Sequence, residues 1–244
     1  MPEWWTYSLS DFLLFSPRTY YRLFELYNAA VWPGQALALA VGLAIAAMLR
    51  KPRPWQGRVV AVLLAACWLW IACAYFLTHY ATINWAAPYV AAAFAAEALL
   101  LALVGTVGRF SSRPDARWAG RIGAGVYVFA LVVQPLIGPL VGRTWSQVEV
   151  FGMAPDPTVV ATLGVLLRAA ALARWVLLPI PVAWCAVSGA TAWAMGSPDA
   201  WVMPTAGVLT VILTLLPQSA LPPCPAAVPS GATAAEPAGE SGGR

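Results

Sequence analysis

Glu97 is the residue whose type and position point most directly to chemistry. It lies near the middle of an apolar run, Trp85–Val107, that contains no other charged residue. A carboxyl group in such a segment is costly and marks a functional site by default. Unpaired, it should hold its proton, and Gln134, near the middle of another apolar run, is its expected hydrogen-bond partner. The pair is either a proton or cation relay or a neutral link between two helices; the link is favoured because the apolar runs offer no second carboxyl to receive a proton.

A polar and aromatic segment, residues 79–85, precedes this run. We interpret His79, Tyr80 and Asn84 either as an outer vestibule above Glu97 or as an ordinary interfacial turn. His79 is the only histidine, which excludes bis-histidine haem binding within the chain. A membrane serine protease would need a Ser/His pair, for which Ser188 and His79 are the only candidates. The sequence has no HExxH motif and no P-loop. We therefore predict no catalytic residue, no metal site and no cofactor.

The overall composition indicates a membrane protein. Of the 244 residues, 61% are hydrophobic and 10% are charged, whereas about 25% are charged in a typical soluble domain. A single core of this size could not bury so much apolar surface, so lipid is the expected solvent. The net charge of +4 comes from short basic clusters between apolar runs, and we predict no nucleic-acid partner.

The apolar runs predict an all-α, polytopic transmembrane bundle of about seven spans. A membrane helix needs about 20 apolar residues. The fifth and sixth runs nearly merge, and we separate them by a hairpin turn that carries Arg168 and Arg174 to the surface, because arginines at the centre of lipid are costly. Asp156, as N-cap, and Pro157 predict the start of the fifth helix. The seven predicted spans are Ala29–Leu49, Val59–Thr78, Trp85–Val107, Ile122–Val141, Thr158–Ala173, Trp175–Met195 and Trp201–Leu216.

Basic residues alternate between the connections. Arg143 is the only arginine or lysine in the second, fourth and sixth connections. Under the positive-inside rule the odd connections are cytoplasmic, which places the N-terminus outside and the C-terminus inside. The predicted topology anchors in the odd connections are Arg50, Lys51, Arg53, Arg58, Arg109, Arg113, Arg117, Arg121, Arg168 and Arg174.

The two ends of the chain are predicted to lie outside the spans. In residues 1–28, Ser16 and Pro17 begin an amphipathic helix with Arg18, Arg22 and Glu25 on one face, which we expect to lie in the membrane interface. We favour an interfacial anchor over a lid or a docking surface for this helix. Residues 217–244 are rich in Pro, Ala, Gly and Ser and are predicted to be a disordered cytoplasmic tail.

Three segments carry a resemblance to other proteins: Trp5–Asn28, Ile83–Ala87 and Val150–Thr158. Together they resemble an uncharacterised family of bacterial multi-pass membrane proteins, a domain of unknown function. The resemblance extends over most of Trp4–Leu216. It implies a location in the bacterial inner membrane and supplies no activity, ligand or catalytic residue.

Three classes of function follow from these features. A small-solute or ion transporter or permease is the leading hypothesis, because of Glu97, Gln134 and the polar outer loop. The alternative is an accessory or scaffold subunit of a membrane complex, bound to a membrane-protein partner or to a second copy of the chain, because of the aromatic N-terminal helix. A membrane-embedded enzyme is the weakest hypothesis, because acid–base groups are so few.

Overall fold

The structure is a computed structural model that describes residues 15–50, 53, 55–107 and 117–216. Every regular element in these ranges is helical, which confirms the all-α prediction. π-Helical turns at Ile71–Leu77 and Phe129–Val133 continue α3 and α5, and short 3-10 turns occupy Tyr80–Thr82 and Trp145–Gln147. The α-helices are α1 (Pro17–Ala30), α2 (Gly34–Arg50), α3 (Gln56–Trp70), α4 (Ala87–Thr106), α5 (Arg117–Val128), α6 (Gln134–Leu140), α7 (Pro155–Leu166), α8 (Ala171–Leu177), α9 (Pro179–Ala194) and α10 (Val202–Leu215).

The N-terminal helix begins where its capping residues predict. The Ser16 hydroxyl accepts a hydrogen bond of 3.2 Å from the Thr19 amide, and Pro17 is the first helical residue. The first predicted span does not begin at Ala29, because α1 continues to Ala30 and the chain then bends by 89° before α2 starts. Pro33 lies in this bend, and a proline cannot donate the backbone hydrogen bond that would continue the helix.

Three helical segments are long and apolar enough to cross a membrane, namely Gln56–Thr82, Ala87–Thr106 and Trp118–Leu140. Two bent pairs, α1 with α2 and α8 with α9, raise the number to five if each pair is a single span, and α10 is a shorter apolar helix. Within the described residues the structure therefore presents three to five candidate spans, fewer than the seven predicted from hydropathy.

The region of the fifth and sixth predicted spans differs most from expectation. Helix α7 has only 12 residues, and the chain turns at residues 167–170, which include Arg168 but not Arg174. Arg174 therefore lies within α8, where it is buried, and is not carried to the surface. All residues from Val159 to Leu167 are buried, because α3, α5, α9 and α10 pack around α7. Helix α7 is thus the central helix of the bundle.

The central helix touches α5 backbone to backbone. A Cβ atom on Gly123 would lie 2.4 Å from the carbonyl oxygen of Gly164, and a Cβ atom on Gly164 would lie 2.6 Å from the carbonyl oxygen of Gly123. Both distances are shorter than any normal carbon–oxygen contact. The two glycines therefore permit a crossing of α5 and α7 that no other residue pair would allow.

The helix ends fall into two groups. At one end, the Arg168 guanidinium donates hydrogen bonds of 2.9 Å to the carbonyl oxygens of Leu49 and Gly120. It thereby joins the turn after α7 to the end of α2 and the start of α5. At the opposite end, here called the α1 end, the Asn28 side-chain amide donates to the carbonyl oxygens of Ser146 and Val148. Helix α1 thus packs against the connection between α6 and α7.

The predicted topology anchors are not all alike in the structure. Arg50, Arg53, Arg58 and Arg121 are exposed, Arg168 is half-buried and Arg174 is buried. Arg117 begins α5. Lys51, Arg109 and Arg113 lie outside the described residues, as do residues 1–14 and the predicted tail, 217–244.

Candidate functional site

An open pocket at the α1 end brings several charged side chains together in a largely apolar bundle. Its volume is about 650 Å³, including the open mouth. The walls come from α1, α6, α9, α10, the start of α7 and the connections before α7 and α10. The polar residues that line it include Tyr20, Tyr21, Gln134, Arg143, Glu149, Asp156, Ser188, Ser197 and Asp199.

Arg143 is positioned by the way α6 ends. Gly142 adopts a φ of 93°, a left-handed conformation that favours glycine. The Arg143 amide donates to the carbonyl of Gly138 at 2.9 Å and the Gly142 amide to that of Pro139 at 3.2 Å, which together form a Schellman motif. The Arg143 guanidinium then bonds the Asp199 carboxylate, and its Nη1 lies 3.6 Å from Glu149 Oε1. Its central carbon lies 4.9 Å from the ring centroid of Tyr21.

Helix α9 ends in the same way, with a glycine in the left-handed conformation. Gly196 has a φ of 67°, and the Ser197 amide donates to the carbonyl of Ala192 at 2.9 Å. The Ser197 hydroxyl donates to Asp199 Oδ1 at 2.5 Å and lies 2.9 Å from the Tyr21 hydroxyl. Because Ser197 uses its only proton on Asp199, the Tyr21 hydroxyl is the donor of the second bond. The two helix ends thus present a guanidinium and a carboxylate to each other, and α1 contacts both.

Asp156 has a different role from the one predicted. The N-cap of α7 is Ala154, and Asp156 lies in the first turn of the helix. Its carboxylate accepts hydrogen bonds from Trp184 Nε1 at 2.8 Å and from Ser188 Oγ at 2.6 Å. Ser188 is therefore a donor to a carboxylate, while the His79 ring nitrogen lies 2.7 Å from the carbonyl oxygen of Ala74. The structure does not assemble a Ser/His catalytic pair from these two residues.

Glu149 is the pocket carboxyl whose protonation is most perturbed. Burial raises its pKa from 4.5 to about 8; the neighbouring Asp156 carboxylate also raises it, and Arg143 opposes the shift. Asp156 receives two neutral hydrogen-bond donors, and such donors favour an ionised carboxylate. Two carboxyl groups that share one buried site disfavour each other's ionisation, and the two hydrogen bonds to Asp156 favour the proton on Glu149.

Comparison with known proteins places the whole bundle in one family. Residues 18–221 match a family of unknown function, DUF6064. The chain belongs to this family. The match spans α1 to α10, so it includes all the polar residues of the pocket, and it confirms the resemblance to a domain of unknown function. No curated protein and no solved structure matches the chain.

In this DUF6064 protein, Glu97 and Gln134 do not form the expected pair. Glu97 is fully buried on α4, and neither carboxyl oxygen has a hydrogen-bond partner among the described residues. Gln134 lines the pocket, and its side-chain amide donates to the sulfur of Met203 at 3.6 Å. Similar depth in two predicted helices did not imply contact, because α4 packs mainly against α3 and the π-helical turn that follows it.

Replacement of Glu97 by leucine is expected to stabilise the protein. A buried polar group without a partner costs about 1–3 kcal/mol, and leucine removes that cost while it keeps similar volume. Glu97→Gln is the matched control, because the amide leaves polar atoms at the same place and should give little gain. Thermal unfolding in detergent measures both. A lower unfolding midpoint for Glu97→Leu would contradict the absence of a partner.

The predicted vestibule residues lie outside the pocket. Tyr80 is buried, stacks on Tyr75 with a centroid distance of 5.8 Å, and accepts a hydrogen bond of 3.0 Å from the Asn84 side chain. The His79 ring packs edge-on against Tyr27 at 5.0 Å. His79, Tyr80 and Asn84 are therefore packed against neighbouring side chains at the end of the π-helical turn after α3 and do not line an open vestibule.

Helix α1 is an integral wall of the bundle. Phe24 and Tyr27 are fully buried, and the Tyr27 hydroxyl donates to the carbonyl of Met153 at 3.0 Å while it accepts from Trp70 Nε1 at 3.0 Å. The aromatic residues of α1 thus face inward, so this helix does not present an exposed aromatic surface for docking. Arg22 and Glu25 form an ion pair of 2.8 Å on its outer side.

Sequence reasoning missed most of the charged residues of the pocket. No role was predicted for Glu149 or Asp199; Asp156 was predicted only as a cap, and Arg143 only as the single basic residue of the even connections. Two local signals point to them. Gly142 and Gly196 follow apolar helices, where glycine commonly ends a helix, and the connections that begin there carry the carboxylates.

Proposed function

We propose that this protein is a multi-pass protein of the bacterial inner membrane that binds a small cationic solute in the pocket at the α1 end and transports it. The membrane location is supported by the three to five candidate spans. Large apolar side chains on α2 and α4, such as Leu37, Leu43 and Leu99, point away from the bundle and are exposed. Lipid is the solvent that suits such a surface.

The proposed orientation places the α1 end outside. Exposed Arg50, Arg53, Arg58 and Arg121 belong to connections one and three, at the opposite end, and the positive-inside rule makes that end cytoplasmic. The seven passes would be α2, α3, α4, α5 with α6, α7, α8 with α9, and α10. The pocket would then open to the outside, and the C-terminus would lie inside.

The charge of the pocket supports transport of a cation. Asp156 and Asp199 place two carboxylates beside one guanidinium, that of Arg143, and Glu149 adds a third negative charge when it loses its proton. Membrane proteins confine ionisable groups to substrate or ion pathways because each such group is expensive in lipid. An excess of negative charge in an open pocket therefore favours a positively charged solute.

Uptake by proteoliposomes tests this function. We expect the full chain to accelerate uptake of at least one of three radiolabelled cations, methylammonium, methylguanidinium or choline, over protein-free vesicles. Asp156→Asn, which removes a pocket charge but keeps hydrogen-bonding atoms, should lower that uptake at least tenfold. Glu25→Gln, on the outer side of α1, is the matched control and should keep it. Uptake equal to empty vesicles for all three probes, or an Asp156→Asn protein as active as the parent, would overturn the proposal.

Orientation has a separate test in Cys224. We expect an impermeant maleimide to leave Cys224 unlabelled in intact cells and to label it after the cells are opened. The background should be Cys73→Ala, because Cys73 is exposed whereas Cys67 and Cys185 are buried. Ser146→Cys, an exposed position at the α1 end, is the positive control and should label in intact cells. Prompt labelling of Cys224 in intact cells would reverse the assigned sidedness of the C-terminus.

A further inference from the structure

The ionic contacts in the pocket leave Asp156 without a cation of its own. Arg143 directs its two terminal nitrogens to Asp199 and to Glu149. Asp199 also receives the Ser197 hydroxyl. The hydrogen bonds to Asp156 come from Trp184 and Ser188, which are neutral. Asp156 is thus the carboxylate of the pocket that has no ion-pair partner among the described residues.

An unsatisfied acceptor lies in the same pocket. The side-chain oxygen of Gln134 is buried and accepts no hydrogen bond from any described residue. A buried acceptor of this kind is normally paired. An occupant that carries N–H groups would pair it, whereas a quaternary ammonium ion would not.

Arg143 shows how the pocket holds such a group. Its guanidinium lies against the Tyr21 ring and between two carboxylates, which is a favourable arrangement for cations that donate hydrogen bonds. Tyr20 supplies a second aromatic wall. The described residues contain no group of three or more His, Cys, Asp or Glu side chains that could hold a metal ion, so an organic cation suits the pocket better than a metal.

We propose that the pocket exchanges a proton on Glu149 for an ammonium or guanidinium group of the solute. This proposal rests on the proposed function and adds the substrate class and the coupling ion. In the exchange the O–H bond of the Glu149 carboxyl breaks and the proton passes to water. The carboxylate that remains pairs with the entering cation, so charge balances and no electron moves.

The surroundings of Glu149 set the pH at which the exchange operates. The groups that face it are the Asp156 carboxylate of α7, the Arg143 guanidinium, and the phenols of Tyr20 on α1 and Tyr75 after α3. With burial and Asp156 raising the Glu149 pKa to about 8, a proton occupies the carboxyl at neutral pH. Affinity for the cation should therefore fall about tenfold per pH unit below pH 8 and level off above it.

Calorimetric titration of the full chain in detergent with methylguanidinium tests the exchange. Titration in phosphate and in Tris, whose ionisation enthalpies differ, counts the protons released. We expect about one proton per bound cation at pH 7 and nearly none at pH 9. Choline, which has no N–H group, should bind at least tenfold more weakly. Glu149→Gln should abolish both the proton release and the pH dependence, whereas Glu25→Gln, on the outer side of α1, should behave as the parent.

The outcomes separate this inference from the proposed function. Binding without proton release and with equal affinity at pH 6 and pH 9 would overturn the exchange and leave solute binding intact. Proton-coupled binding in detergent without uptake by vesicles would support the exchange and overturn transport. Failure of every probe to bind would overturn both. The pH series on the parent protein decides the question even if Glu149→Gln does not fold.

Discussion

Gly164→Ala is expected to prevent the bundle from reaching its native packing. The added Cβ atom would lie 2.6 Å from the carbonyl oxygen of Gly123 and 2.8 Å from the amide nitrogen of Tyr127. Both are backbone atoms of the facing helix, so no side chain can rotate away, and α5 must move off α7. Overpacking of this kind costs about 1–3 kcal/mol and sometimes more, and we expect the upper part of that range. The measurement is the fraction of protein that elutes as a single species in detergent, together with its thermal midpoint.

Gly125→Ala is the matched control, because it makes the same change two residues from Gly123 on α5. No heavy atom lies within 4 Å of the added Cβ, so the alanine meets open space. Alanine is favoured over glycine in a helix by up to about 1 kcal/mol, and the variant should be as stable as the parent or more so. A native thermal midpoint for Gly164→Ala would show that α5 and α7 do not touch through their backbones.

Arg143→Met is expected to produce the largest loss of stability among changes in the pocket. The side chains of Arg143 and Asp199 are only 13% and 19% exposed. Removal of one member of a buried ion pair leaves an uncompensated charge and costs about 3–5 kcal/mol. Arg22→Met is the control: its ion pair with Glu25 is 60% and 35% exposed, and such surface pairs contribute about 0–1 kcal/mol. Denaturant unfolding in detergent compares the two.

The double variant Arg143→Met/Asp199→Asn distinguishes lost charge from lost packing. Because it removes both members of the pair, most of the stability should return. Equal instability of the single and double variants would attribute the effect to the stack of Arg143 on Tyr21.

The pH dependence of stability has a definite sign at Glu149. Its folded pKa, about 8, lies above the unfolded value of 4.5, so the folded state binds the proton more tightly. This contribution to stability is fully present below pH 4.5 and is lost as the pH rises through 8. Arg143 lowers the Glu149 pKa, so in Arg143→Met the loss should shift to higher pH.

Hydropathy predicted some helices closely and others poorly, for a physical reason. The predicted run Trp85–Val107 is α4 (Ala87–Thr106) almost to the residue, because a long apolar run flanked by polar turns has one interpretation. The run Thr158–Ala173 does not coincide with α7, which ends at Leu166. Hydropathy cannot separate a helix that faces lipid from one enclosed by other helices. Arg168 lies half-buried because carbonyl groups of two distant segments accept its hydrogen bonds, which only the folded chain brings together.

The pocket illustrates the same limit. Arg143 and Asp199 are 56 residues apart in the chain, and no local pattern pairs them. Charge alternation placed Arg143 in an even connection, and the glycines that end α6 and α9 are visible in the sequence. Those signals indicate which residues share an end of the bundle. They do not indicate which of the carboxylates meets the guanidinium, since that depends on the helix crossings.

The enclosed position of α7 has a consequence for biogenesis in the proposed membrane. At about 1.5 Å per residue, its 12 residues span about 18 Å, well short of a hydrocarbon layer of about 30 Å. A segment that leaves the translocon by partitioning sideways into lipid would expose unpaired backbone at both ends of this helix. Helix α7 should therefore remain in contact with α3 and α5, which are synthesised before it, until α9 and α10 emerge and close around it. The order of synthesis would then be part of how the central helix reaches its place.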